Sequence, residues 1–382
     1  MEFLLYIILI TSAFVNILFF YYDFFPFFKN ILKEKRKKST APTDKDVKAI
    51  ENEILKTSFD IIEADKQLTT WDKKQYVSEK LYHYIKGTKS DSFKKFHFPV
   101  AFLYHGLSSY VLNKNKESDI LRFKAVFDKI IDQTGQPKFT MDKPDQVPFG
   151  LTALSLYDKF KEAKYLQFSE YIFQFILTNL DHKGIMLYNK SSDNQYVDVL
   201  GMIVPFLVSY SKVSGDGDAL ILAKAQIDFF EKHGVDSETF LPSHSFHLKT
   251  FIRTGSVNWG RGFGWYLLGI NAVNSVDASY VNKIEKIFSS VPSIGNHIYS
   301  QFPGSSQKAD LSATMMLLNC FSDSGIITVN KEELINTLQP YVQDGYVMQT
   351  SGDTIGINDY SDFFGKSEFS QGMMLLLLSK LK

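Results

Sequence analysis

Two carboxylates, two imidazoles, one guanidinium and two indoles fall in four short runs of this chain. Asp145 lies in KPDQVPFG, Asp198 in YVDVLGM, His244 and His247 in PSHSFH, and Trp259, Arg261 and Trp265 in NWGRGFGW. A carboxylate pair can divide acid and base work. A guanidinium grips a carboxylate or hydroxyls through its planar fork, and indoles offer flat apolar faces. Together these residue types suit chemistry on a sugar ring. Each also has a plainer role: Asp145 and Asp198 as helix N-caps, His244 and His247 as satisfied loop residues, Arg261 as a loop pin, Trp259 and Trp265 as core. No metal-ligand spacing such as H-E-x-x-H occurs, so neither metal nor cofactor is expected.

The elements that must position these residues are helical. Runs over 118–131, 159–180, 219–232 and 280–288, with a further one over 71–84, carry apolar residues at spacings of three and four. A small residue opens a nearly all-apolar run six times, at Gly106, Gly150, Gly201, Gly264, Ala313 and Gly372. Each interval leaves room for that helix, a loop and an amphipathic helix returning, such as KYLQFSEYIFQFIL or ALILAKAQIDFFEKHG. An all-apolar helix wants burial on every side and an amphipathic one wants a wet face. Six such hairpins close into an all-α (α/α)6 toroid, apolar helices inside, with no end repeats to cap. Small residues at the inner-helix starts let loops crowd at one mouth. Asp145, Asp198 and Arg261 all stand at or beside such starts, so the frame draws them towards one pocket.

Composition narrows the function classes. The 382 residues hold 34 Phe and 20 Tyr, enough rings for a large core with some left for sugar-stacking surfaces. Basic and acidic residues number 42 each, so no global charge recruits nucleic acid. Cys320 is the only cysteine, which excludes an intrachain disulfide and a Cys-based zinc site. It lies in an apolar run and reads as core.

The N-terminus is of another kind. No charge occurs from Phe3 to Tyr22. About twenty residues at ~1.5 Å each span the ~30 Å hydrocarbon core of a bilayer. The start carries Glu2 and no A-x-A site follows, so the run reads as an uncleaved anchor. Lys29, Lys33, Lys35, Arg36, Lys37 and Lys38 follow directly. By the positive-inside rule they keep the large domain cytoplasmic and favour anionic membrane lipid. The expected layout is a transmembrane anchor over 1–25, a basic linker over 26–48 and the (α/α)6 domain over 49–382, on a single-pass protein of a bacterial inner membrane.

The runs DQVPFGLTALSLYDKFKEAKYLQFSEYIFQFIL, QYVDVLGMIVPFLVSYSKVSGD, LPSHSF, NWGRGFGW and KADLSATMM, with the closing SQGMMLLLL, resemble the unsaturated uronyl hydrolases of glycoside hydrolase families 88 and 105. The resemblance extends from about Pro99 to the end. It implies a six-hairpin fold and hydration of the C4=C5 double bond of a terminal unsaturated uronic acid on an oligosaccharide. It assigns Asp198 as the main acid/base and Asp145 as its partner. It places His244, Arg261 and Trp265 among the substrate-binding residues, and Trp259 and His247 stand beside them. Apolar neighbours and a negative Asp145 favour a protonated Asp198, and a helix start beside it favours the ionised form. The chain also resembles membrane-anchored proteins of bacterial surface-polysaccharide biosynthesis clusters. That implies other biosynthesis proteins as partners and admits a carbohydrate-binding member without catalysis.

Overall fold

The structure, a computed structural model, describes residues 2–25, 46–64, 68, 85, 96–305, 308–354 and 356–381. The basic cluster over 29–38 and the helix expected over 71–84 lie outside these residues. The chain divides into two units, one of residues 1–45 and 71–94, the other of 46–70 and 95–382.

In the first unit, α1 (Glu2–Phe19) runs into a π-helical turn at Phe20–Phe24. It buries no side chain and is long and apolar enough to cross a membrane. Its polar side chains bond back to the preceding turn, Thr11 Oγ1 to Ile7 O and Asn16 Nδ2 to Ser12 O, each at 2.8 Å. These donors are thereby met within the helix itself, as a bilayer interior favours.

The second unit is the expected toroid. Among the described residues six inner helices follow one another: α3 (Phe98–Lys114), α5 (Phe149–Phe160), α7 (Asp198–Ser214), α9 (Gly260–Asn274), α11 (Leu311–Asp323) and α13 (Glu368–Lys380). Each packs on the next, and α13 returns to pack on α3. Between them come the outer helices α4 (Glu117–Phe127), α6 (Ala163–Thr178), α8 (Gly217–Gly234), α10 (Val281–Ser290) and α12 (Lys331–Leu338). The sixth outer helix comes from the other end of the second unit: α2 (Val47–Glu63) touches α13, α3, α4 and α12. Gln371 clasps this closure. Its Nε2 donates to Ile54 O at 3.2 Å, Ser58 Oγ at 3.1 Å and Gly345 O at 2.9 Å, and its Oε1 accepts from Val347 N at 3.0 Å.

Two sequence expectations need correction. The run over 159–180 is broken, because Lys161 adopts φ 55° between α5 and α6. Gly106 opens no helix; α3 starts at Phe98, with Pro99 in its first turn, and Gly106 lies mid-helix. The small residues act at helix–helix seams instead. A Cβ on Gly106 would run into the backbone of Gly372, and one on Gly372 into that of Phe102. Gly201 lies against Trp265 and Gly264 against Met316, where an added Cβ would come within 2.5 and 2.7 Å. Inner helices crowd more tightly than outer ones, so their contact lines need residues without side chains. Cys320 is buried, as expected, and burial pushes its thiol up.

Short strands serve the loops. β1 (Asn194–Tyr196), β2 (Ser245–His247) and β3 (Arg253–Thr254) form an antiparallel sheet in that order, with Tyr196 opposite Ser245 and Gln195 opposite Phe246. β4 (Val342–Gln343) pairs with β5 (Tyr346–Val347), and β6 (Thr350–Ser351) with β7 (Phe364–Gly365).

Candidate active site

The β1–β2 ladder leads straight into the first side-chain pair. Val197 N donates to His244 O at 3.0 Å, extending the ladder by one step to the threshold of α7. Asp198 is the first residue of α7, and its Oδ2 lies 3.6 Å from His244 Nε2. Asp198 is no cap: Val197 occupies that position and makes no side-chain cap bond. His244 is buried, and its Nδ1 stands 3.2 Å from both Ile357 O and the Tyr360 hydroxyl. A carbonyl only accepts, so Nδ1 carries a proton and Nε2 is the nitrogen turned towards Asp198. Gly255 permits this seat. It has φ +81°, and a Cβ there would meet His244 Cβ at 2.6 Å.

Asp145 lies in the 3-10 turn Pro144–Gln146 ahead of α5 and is buried. Its Oδ2 accepts from the Tyr188 hydroxyl at 3.1 Å, so it too is not a helix cap. Burial pushes Asp145 up to about 6; the Tyr188 hydrogen bond and Lys143 oppose this, and the charge of Asp198 adds to it. Tyr188 makes an edge contact with Tyr196, which makes another with His244, so the two carboxylates are joined by a wall of rings.

Arg261, in the first turn of α9, is buried and donates from Nη1 to Asp353 Oδ1 at 3.1 Å and from Nη2 to Gly352 O. Its Cζ lies 5.4 Å from the ring centre of Trp259, and that ring lies 4.5 Å from His244. Asp353 is pushed up to about 7, first by burial; Arg261 opposes this, and the charges of Asp145 and Asp198 reinforce it. The three carboxylates therefore sense one another, which places them in one neighbourhood.

Asp145, Asp198, His244, Arg261 and Trp259 are thus brought together. Trp265 and His247 are not. The Trp265 ring is 1 % exposed and packs on Phe98, Phe102 and Phe369, so it is a core residue on the buried side of α9. His247 closes a turn, its Nδ1 facing the amides of Lys249 and Thr250 and the Thr250 hydroxyl, each at 3.2 Å. Sequence reasoning missed Tyr188, Asp353 and Tyr360. The last two lie between β6 and β7, where neither helical period nor an inner-helix start marks a residue; the polar run SGDTIGIND was the only signal. Asp310, in the run KADLSATMM, caps α11 through Ser312 N at 2.9 Å and takes the Ser351 hydroxyl at 2.6 Å.

Among the described residues, four polar atoms of the cluster are buried without a hydrogen-bond partner: Asp145 Oδ1, Asp198 Oδ2, Trp259 Nε1 and Arg261 Nε. Each such atom costs about 1–3 kcal/mol, a burden folded chains seldom carry without use. Two acceptors and two donors in one cluster match the hydroxyls of a saccharide. Among the described residues, no group of three His, Cys, Asp or Glu is placed to hold a metal ion.

Residues 72–291 match the sequence model of Glycosyl Hydrolase Family 88. The chain belongs to this family. The match spans Asp145, Asp198, His244 and Arg261 and ends before Asp353 and Tyr360. No curated protein sequence matches this family 88 chain. Among solved structures it is similar to possible family 105 members from Klebsiella pneumoniae and Salmonella enterica, each with a TM-score of 0.67. Identities are 14 % and 15 %; each comparison covers 89 % of this chain, and 94 % and 95 % of the other. It is also similar to an unsaturated glucuronyl hydrolase from a Bacillus species, at 15 % identity and TM-score 0.56, covering 74 % of this chain and 86 % of that one. At such identities these likenesses speak for the six-hairpin fold alone.

Proposed function

We propose that this family 88 protein hydrates the C4=C5 double bond of an unsaturated uronic acid at the end of an oligosaccharide, with Asp198 as acid and base. The observation that carries this reading is the buried, unpartnered Oδ2 of Asp198, at a helix start and 3.6 Å from His244 Nε2. Asp198 delivers its proton to C4, and water adds at C5 as the same carboxylate takes a proton from it. The C5 hemiketal then opens, and the sugar at C1 is released. Asp145, whose carboxyl feels the charge of Asp198, is its partner carboxylate. His244 orients the carboxylate, and Trp259, Arg261 and Tyr188 line the sugar.

The N-terminal helix suits a membrane anchor, and the basic cluster over 29–38 suits a cytoplasmic domain held near anionic lipid. Such a protein would act on the oligosaccharides of a bacterial surface polysaccharide, beside other proteins of its biosynthesis.

The test is incubation of the full chain with unsaturated uronyl disaccharides, following the ultraviolet absorbance of the conjugated double bond. Wild type removes it, and Asp198→Asn slows the loss by about 10²-fold or more. Intact disaccharides with wild type, together with binding of a saturated glycan, would replace hydrolysis with carbohydrate binding.

A further inference from the structure

Arg261 is the guanidinium of the cluster, and the chain itself already engages it. Nη1 meets Asp353 at 3.1 Å, Nη2 meets the Gly352 carbonyl, and Trp259 lies along the fork. A buried guanidinium needs an anion, and Asp353 supplies one. That anion is badly placed in every other respect. It senses the charges of Asp145 and Asp198 as well as that of Arg261, and Tyr188 senses its charge in turn. It retains 24 % of its side-chain surface, and it comes from the β6–β7 segment rather than from a helix. Arg261, 3 % exposed and seated on α9, has nowhere to go; Asp353 has.

We propose that Asp353 is an internal occupant of a carboxylate-binding fork, displaced when the carboxylate of a uronic acid takes its place on Arg261. This deepens the reading above, because it names the group through which an acidic sugar is recognised. The exchange balances with one proton. The ligand arrives as an anion, Arg261 keeps its charge, and Asp353 leaves the fork as the neutral acid after taking a proton from solvent. The neighbours that resist its charge, Asp145 and Asp198, favour that uptake. The site is thereby closed to an indifferent neutral sugar and opens to one that brings its own carboxylate.

The experiment is calorimetric titration of the full chain with glucuronate, and with glucose as the neutral probe, at pH 8 in buffers of different ionisation enthalpy. Wild type takes up a proton with glucuronate and none with glucose. Asp353→Asn binds glucuronate on the order of tenfold more tightly and loses that uptake, because no internal anion competes. Any uptake through Asp145 survives in Asp353→Asn and so is told apart. Asp353→Ser, with circular dichroism on both variants, guards against a folding defect. Equal or weaker glucuronate binding in both folded variants, or unchanged proton uptake, overturns the proposal. Turnover is not read, so a chain that binds glucuronate by exchange yet leaves disaccharides intact would sink the hydrolase reading alone.

Discussion

His244 and Asp198 are held side by side by a strand ladder. The Val197 amide donates to the His244 carbonyl at 3.0 Å, and His244 Nε2 then lies 3.6 Å from Asp198 Oδ2. The far side of the imidazole is fixed by Ile357 O and the Tyr360 hydroxyl at 3.2 Å. With Nδ1 held on that side, Nε2 is the nitrogen left to face Asp198, so the imidazole is fixed against the carboxyl.

This pairing makes His244→Gln a kinetic test. Glutamine keeps a polar end but not a ring whose orientation is set by a second hydrogen bond on its far side. The expected result is a fall in kcat of about 10²-fold with KM changed only a few-fold, and a shifted acid limb in the pH–rate profile. Initial rates on an unsaturated disaccharide between pH 4 and 9 measure it. A loss confined to KM would make His244 a substrate contact only.

Stability is expected to fall as the medium turns alkaline, and Glu368 is a main reason. It is buried at the start of α13; one oxygen accepts from Leu68 N and the other has no partner among the described residues. Burial pushes it up to about 7, against its ordinary value of 4.5. The folded form then binds more protons than the unfolded one. This contribution is complete below about pH 4.5 and lost as pH rises through about 7. Glu368→Gln, which keeps an acceptor for Leu68, should flatten that loss by about 1–3 kcal/mol. Urea melts of both proteins at pH 5 and pH 8 give the comparison, and parallel pH dependence would refute it.

Gly106→Ala tests the seam between the first and last inner helices. Inside an exposed helix this change stabilises by about 0.5–1 kcal/mol. Here the methyl meets the Gly372 backbone, which cannot rotate away. A loss of about 2–3 kcal/mol is expected instead. The denaturation midpoint decides the sign, and a stabilised variant would mean that the ring closes less tightly than described.

The N-terminal helix separates anchor from signal sequence by mass. The intact protein should stay with membranes through an alkaline carbonate wash, and its mass should include residues 2–25. A mature chain lacking them would make the helix a cleaved signal and move the domain across the membrane.

Much of this architecture is legible in the sequence because it is local and repeated. The 3.6-residue period marks each helix, and six apolar runs with a small residue point to six inner helices. Asp198 and Asp145 stand at the entrances of α7 and α5, so a rule about helix starts finds them. His244 and Arg261 came with their motifs. The small residues were located correctly and given the wrong task, because a sequence shows that Gly106 has no side chain but not that Gly372 lies against it. Trp265 was misread for a related reason: on an all-apolar inner helix, period cannot tell the face towards the core from the face towards the mouth. Asp353 and Tyr360 needed the tertiary structure outright. They reach Arg261 and His244 only because closing the ring brings the β6–β7 segment back over α9, and no periodic signal records a contact made by closure. Local periodicity determined the ring and where its candidate site begins; long-range closure decided which charges face one another there.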